Sequence, residues 1–172
     1  CQAAVAAFES ESGINTEMVR MSSGEALARL QAEQGAPSFD VWYGGPSVGP
    51  VAAFQESLIE AYVPENSSLI PAELRDAEGV WTGIYLGALG FCSNADYLTD
   101  LAVDVPDSWD DLLNPALKSN IAMADQRTSG TAVTAAGALV ALFEGEDGAL
   151  EYLGSLHENI FQYTKSGSSP GR

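Results

Sequence analysis

Short apolar runs alternate with segments of helical periodicity along most of this 172-residue chain, and that alternation restricts the fold more than any other feature. Repeated β-α order indicates an α/β fold with a largely parallel sheet, in which ligands bind beyond the carboxyl ends of strands. The runs with strand character are Ile14–Met21, Phe39–Tyr43, Val80–Phe91, Ile121–Ala124 and Ile160–Thr164.

Helical spacing and helix-ending residues define the segments between these runs. The first helix ends before Gly13, and the cap sequence Ser22–Glu25 opens the second. The predicted helices are Gln2–Glu11, the segment after Ser22 that contains Leu27 and Leu30, Val51–Leu58, Asn94–Leu101, a turn at Ser108–Leu113, Thr131–Phe143 and Gly148–His157. Because a linker at Val105-Pro106 precedes a restart of the alternation, we expect two units, residues 1–98 and 99–172.

The charge balance restricts the partners. Seven Lys and Arg against 24 Asp and Glu give a net charge of -17, which repels nucleic acid and anionic headgroups. The acids are dispersed and therefore indicate a solvated surface. The sequence has no apolar run of about 18 residues, the length that indicates a membrane-spanning helix.

Signals for catalysis, cofactors and metals are weak. The only histidine, His157, lies late in a predicted helix, and no hydrolase, zinc or phosphate-loop motif occurs. We therefore predict no catalytic residue, no cofactor and no metal ligand. Cys1 and Cys92 could form a disulfide or be two separate thiols, and Cys1 could carry a lipid; the sequence leaves these alternatives open.

Three loops rich in Gly, Ser and Thr each follow a predicted strand. They are Gly44–Ser47, Arg127–Thr131 and Lys165–Ser169, and the first two precede helices. Backbone amides at a helix start, with hydroxyls beside them, bind phosphate, carboxylate or sulfonate groups. Helix capping is the alternative role of each hydroxyl, and Arg127 could pair with Asp125 instead of a ligand.

Several motifs in order resemble one protein family. They are Asp40–Pro46, Trp81–Tyr85 with Gly87–Phe91, Ser108–Pro115, Ala124–Ala132 and Gln162–Ser168. Together they resemble the ferric-ion, phosphonate and sugar-phosphate group of bacterial ABC-importer solute-binding proteins. The resemblance implies a two-lobed α/β architecture of the type II periplasmic binding proteins. We expect an incomplete chain, with the first lobe lacking its opening strand and only the start of the second lobe.

The resemblance also implies a receptor without chemistry of its own. Its expected partners are a small anionic solute, bearing phosphate or phosphonate, and the membrane permease of an ABC importer, and we expect a monomer. It implies a periplasmic or extracellular protein, with or without a membrane anchor, and a signal peptide, if the full protein has one, would lie upstream of Cys1. The expected ligand-binding residues are Gly45, Pro46, Ser47, Arg127, Thr128, Ser129, Gly130, Thr131, Ser166 and Ser168.

Two alternatives stay open at this point. One is a ferric-ion receptor of an iron importer, although iron-binding members carry a carboxylate where this chain has Gly44–Ser47. The other is an enzyme of transferase type built on the same loops.

Overall fold

A computed structural model describes residues 2–171 of the protein. The helices are α1 (Gln2–Ser12), α2 (Ser23–Ala32), α3 (Val48–Gln55), α4 (Ala95–Asp100), α5 (Gly130–Leu142) and α6 (Glu146–His157). Two strands, β1 (Ile121–Ala124) and β2 (Ile160–Thr164), form the sheet of the described part. Short 3-10 helices cover Glu65–Leu69, Ala72–Leu74, Asp110–Leu113 and Pro115–Leu117. None of the described helices has the length and apolar character needed to cross a membrane.

The later part of the chain has the predicted β-α order. β1 and β2 are parallel neighbours, with Ala122 opposite Gln162 and Ala124 opposite Thr164, and α5 and α6 connect them. Parallel strands require such a crossover because a tight turn cannot join them. Both strands end at the same edge, so the loops that follow Ala124 and Thr164 meet there. Both predicted strands and both predicted helices of this part are confirmed.

A single hydrophobic cluster lies between the helices α5 and α6 and the 3-10 helix Asp110–Leu113. Its buried members are Leu112, Leu139, Ala149, Tyr152 and Leu156. The Tyr152 ring stacks on Phe143 at 4.8 Å, and its hydroxyl donates a 2.6 Å hydrogen bond to the carbonyl of Trp109. Burial raises the pKa of Tyr152 to about 12.

Side-chain caps explain where the earlier helices begin. Glu25 accepts hydrogen bonds from the backbone nitrogen and the hydroxyl of Ser22, so the predicted cap of α2 is present. Asn94 accepts from the amide of Tyr97 and opens α4. α2 packs against α3, and the amide of Gln31 on α2 donates to the carboxylate of Glu56 directly after α3.

Three predicted strands are wrong within the described residues. Ile14–Met21 and Phe39–Tyr43 form no strand, and Val80–Phe91 contributes one antiparallel bridge, between Thr82 and Arg75. A strand needs a second backbone about 4.8 Å away, and apart from the bridge to Arg75 these three segments pair with no described segment. Their apolar residues therefore stay open to solvent, as Val41 at 76% and Leu86 at 78% exposure show.

Candidate ligand-binding site

Three helix starts converge on one cavity of about 180 Å³. The walls come from the first turns of α2, α3 and α5 and from the loop before α5. The lining residues are Ser23, Gly24, Leu27, Pro46, Val48, Gly49, Ala52, Gln126, Arg127, Ser129, Gly130 and Val133. One water molecule occupies about 30 Å³ of liquid volume, so the cavity has room for a phosphate-sized group.

The loop before α3 needs glycine and is held by a tyrosine. Gly44 and Gly45 have φ angles of +95° and +89°, a region that side chains with a Cβ rarely adopt. The amide of Gly45 donates a 3.1 Å hydrogen bond to the hydroxyl of Tyr85, forty positions later in the chain. Trp42 lies against the first turn of α3 at Gly49. These contacts bring Pro46 to the cavity, whereas the predicted ligand residue Ser47 is exposed and is not among the residues that line it.

Backbone hydrogen bonds and a helix cap hold the loop before α5 in place. Asp125 accepts the amide of Ser129 on its carbonyl at 2.8 Å, and the Ser129 hydroxyl accepts the amide of Ala132 as the helix cap. Ser129 is only 2% exposed, and it lines the cavity. The first two amides of α5, at Gly130 and Thr131, have no partner within the helix and donate to no other described residue.

Gly130 allows the walls of the cavity to approach each other because it has no side chain. A Cβ added at Gly130 would lie 2.7 Å from the hydroxyl oxygen of Ser23 and would overlap the ring of Pro46. A Cβ at Gly45 would also lie 2.8 Å from that hydroxyl. Two residues from the loop before α3 and one from α5 therefore meet at Ser23.

Both basic residues near the cavity are paired with acids. Arg127 contacts Asp125 through a 2.6 Å ion pair, which lowers the pKa of that carboxyl to about 2 and raises the pKa of the guanidinium. Lys165 lies 3.3 Å from Glu25, and its side chain is 81% exposed. The predicted alternative for Arg127, pairing with Asp125, is therefore the arrangement that the structure shows.

The third loop forms a neighbouring cluster outside the cavity lining. Thr131 packs on Gly167, and the Thr128 hydroxyl donates to the carbonyl of Lys165 at 3.0 Å. The hydroxyl of Ser166 lies 3.4 Å from that of Ser168. The structure therefore places Pro46, Arg127, Ser129 and Gly130 in the cavity and Gly45 against it, while Thr128, Thr131, Ser166 and Ser168 join the two loops beside it.

Sequence reasoning missed the contribution of α2. Ser22–Glu25 was interpreted only as a helix cap, yet Ser23 and Gly24 line the cavity, and the amide of Gly24 donates to the carbonyl of Thr128 at 2.9 Å. The signal was available, because this segment also has Ser and Gly at a helix start after a strand-like run.

A larger depression of about 650 Å³ lies elsewhere on the described part and is lined by acids. Asp104, Asp107, Asp110 and Asp111 surround it. Asp111 accepts the amides of Asp107 and Ser108 and so caps the local turn. Four like charges oppose an anionic ligand, so the smaller cavity is the better candidate site.

The chain is similar to several known proteins. Residues 36–168 match the family described as bacterial extracellular solute-binding protein. An uncharacterized protein of Haemophilus influenzae is 37% identical over 100% of this chain and 51% of its own length. A putative 2-aminoethylphosphonate-binding periplasmic protein of Salmonella typhimurium is 30% identical over 89% of this chain and 43% of its own.

Two solved structures have the same fold as the chain. The periplasmic binding protein AfuA from Actinobacillus pleuropneumoniae, with fructose-6-phosphate bound, has a TM-score of 0.92 and 37% identity, covering 99% of this chain and 55% of its own. The periplasmic binding protein P5PA has a TM-score of 0.89 and 35% identity, covering 96% and 54%. The chain therefore spans about half the length of its relatives. The match over residues 36–168 and these two likenesses show that the chain belongs to the bacterial extracellular solute-binding proteins, with the α/β architecture of periplasmic binding proteins.

Proposed function

We propose that the protein is the receptor of an ABC importer and binds a small solute that carries a phosphate or phosphonate group. The observation that carries the proposal is the convergence of the first turns of α2, α3 and α5 on one cavity. Each helix start has a partial positive charge of about half an elementary charge. The first turns of α3 and α5 contain no acid, so these two ends favour an anion even in a protein whose net charge is -17, whereas Glu25 already lies in the first turn of α2.

The donors of the proposed site are mostly uncharged. The amide of Gly130, which lines the cavity and is the first residue of α5, is available for an oxygen atom of a ligand. The hydroxyl of Ser129 is fixed by its cap contact and buried at the same place. Arg127 stands at the edge of the cavity, where its guanidinium is oriented by Asp125. A tetrahedral oxyanion matches this set of neutral donors with a cation at the edge.

The relatives support the same ligand class. The AfuA structure contains fructose-6-phosphate, and the Salmonella relative is named for 2-aminoethylphosphonate. The two molecules differ in their carbon skeletons, but both carry a phosphorus oxyanion. We infer that the phosphoryl or phosphonyl group occupies the cavity, and that residues outside it select the rest of the solute.

The proposal includes two lobes, residues 1–98 and 99–172, with the ligand between them. The hydrophobic cluster lies wholly within the second of these parts, whereas α2 packs on α3 in the first. The cavity takes its walls from both. As a member of an extracellular solute-binding family, the protein would deliver its solute to a membrane permease from the periplasm or the outer surface, and it would act without catalysis.

A thermal-shift screen of the full-length protein tests the ligand class. The candidates are inorganic phosphate, 2-aminoethylphosphonate, fructose 6-phosphate, a polyamine and ferric citrate at matched pH and concentration. A ligand present at 100 times its Kd stabilises the folded state by about 2.7 kcal/mol, so a phosphorus oxyanion should raise the melting temperature by several degrees. Stabilisation by ferric citrate alone would refute the proposal and support the ferric-ion alternative, which no observation in residues 2–171 favours.

A further inference from the structure

The first turn of α2 lies against the loop before α5. The amide of Gly24 donates a 2.9 Å hydrogen bond to the carbonyl of Thr128. A Cβ at Gly24 would lie 2.8 Å from the Cα of Thr128 and would overlap the carbonyl oxygen of Arg127. The backbone of α2 is therefore in direct contact with the backbone of the loop before α5, beside the cavity.

An ion pair joins the same turn to the loop after β2. The ammonium of Lys165 lies 3.3 Å from a carboxylate oxygen of Glu25, and 140 positions separate the two residues. Their side chains are 81% and 43% exposed. An isolated pair of this kind is worth little, largely because two long side chains must be ordered to form it.

Other contacts already hold the side chain of Glu25 and the backbone of Lys165. The carboxylate of Glu25 accepts the backbone amide of Ser22 at 3.2 Å and its hydroxyl at 2.8 Å. The backbone of Lys165 is held through its carbonyl, which accepts the hydroxyl of Thr128 at 3.0 Å. Thr128 also accepts the amide of Gly24, so it connects both ends of the pair. Pairing therefore costs less side-chain entropy at Glu25 than it would at a free glutamate, and the attraction between the two charges is the screened attraction of an exposed pair.

We propose that Glu25 and Lys165 form a latch that holds α2 against the loops Arg127–Thr131 and Lys165–Ser169 and thereby slows release of the solute. This inference rests on the proposed function, because the solute leaves through the same contact. Lys165 acts on release through Glu25 and does not bind the solute. Both residues are positioning residues.

Release kinetics with fructose 6-phosphate as the probe test the latch in the full-length protein. Glu25→Gln removes the charge but retains the cap of α2, because Gln also serves in that cap. Glu25→Gln and Lys165→Gln should each speed dissociation about 1.5- to 5-fold at low salt, the range for an exposed ion pair. The double variant should be no faster than either single variant, and the differences should vanish near 1 M salt, where the screening length is about 3 Å.

A charge reversal separates the latch from direct solute binding by Lys165. Glu25→Gln keeps the cap of α2 and removes the ion pair, so a further Lys165→Glu change should leave dissociation as it is in Glu25→Gln. If Lys165 contacts the anionic solute, the Glu25→Gln/Lys165→Glu double variant should bind worse than Glu25→Gln, and Glu25→Gln should bind more tightly than the original protein. Either result would overturn the latch.

Hydrogen exchange at the amide of Gly24 gives a readout that needs no solute. Glu25→Gln and Lys165→Gln should speed exchange at Gly24 by the same 1.5- to 5-fold factor, about the effect of one exposed ion pair. The matched control is Arg29→Gln, which breaks the 2.8 Å ion pair with Glu33 on the same helix and should leave Gly24 unchanged. A response at Gly24 without binding of any phosphate, phosphate ester or phosphonate in the screen would refute the proposed function alone. Binding without a response at Gly24 or in release would refute the latch alone.

Discussion

Replacement of Gly130 by alanine would have two opposite effects, one on helix propensity and one on packing. As the first residue of α5 it could be substituted by alanine without loss of helix propensity. Its Cβ position, however, is occupied by the ring of Pro46 and lies 2.7 Å from the hydroxyl of Ser23. The Ser23 side chain can rotate away, whereas the proline ring cannot. The close approach of the walls therefore depends on this glycine.

Gly130→Ala should weaken solute binding because the walls of the cavity would be forced apart. Overpacking of this kind costs about 1–3 kcal/mol, which is about 5- to 150-fold in Kd. Gly137→Ala is the matched control, since Gly137 lies in α5 with no atom within 4 Å of its Cβ position. The control should keep its affinity and gain about 0.5–1 kcal/mol of stability. Isothermal titration with fructose 6-phosphate and thermal melts measure both, and equal affinities for the two variants would contradict this role of Gly130.

Asn159 holds together three elements of the later part of the chain. It is 4% exposed, and its side-chain amide donates to the carbonyls of Leu112 at 2.7 Å and Asn114 at 3.0 Å. Its own carbonyl accepts the amide of Ile121 at the start of β1. One residue thus connects the turn between α6 and β2 with β1 and with the 3-10 helix Asp110–Leu113.

Asn159→Ala should destabilise the protein by about 1–3 kcal/mol, because two carbonyls would lose their buried donor. Asn66→Ala is the control, since Asn66 is exposed in the 3-10 helix Glu65–Leu69 and should change stability by less than about 0.5 kcal/mol. Urea unfolding of both variants measures the two effects. A loss equal to that of the control would mean that the two carbonyls find other donors.

The elements that sequence predicts well are those whose contacts are local. The helices α2 and α5 have side-chain caps, α6 has two acids in its first turn, and β1 and β2 are joined by the helices α5 and α6. Val80–Phe91 has the residues of a strand, but a strand also needs a partner that local sequence does not specify. Its apolar character indicates that it can be buried, not which segment pairs with it.

In the candidate site, too, features with local contacts can be predicted from the sequence and features with distant contacts cannot. Ser129 and Gly130 could be identified because Gly, Ser and Thr at a helix start form a local pattern. The approach of Ser23 to Gly130 depends on the packing of α2 against a loop about a hundred residues away, which no pattern encodes. The sequence likewise allows Arg127 to contact either a ligand or Asp125, and the structure shows the ion pair with Asp125.

At the scale of the whole molecule, the net charge of -17 affects every acid in the chain. Like-charge repulsion weakens as carboxylates protonate, so this background term favours the folded state as the pH falls. Glu33 has the opposite effect on the stability of the folded state as the pH falls. Hydrogen bonds from Ser38 and Arg29 lower the pKa of Glu33 to about 2 in the folded protein. A group with a lowered folded-state pKa stabilises the protein above its unfolded pKa and loses that contribution as the pH falls toward the folded value.

Comparison of the original protein with Glu33→Gln separates these two effects, because the background repulsion acts almost equally on both. At pH 7 the variant should melt at a lower temperature, since it lacks the carboxylate that accepts from Ser38 and Arg29. The difference should shrink as the pH falls from about 4.5 and should be small near pH 2, where Glu33 is protonated in the unfolded state and about half protonated in the folded state. Melting temperatures from pH 2 to 7 at constant ionic strength measure this difference. A difference that stays constant over the whole range would mean that the charge of Glu33 contributes nothing and that the loss comes only from altered packing around Ser38.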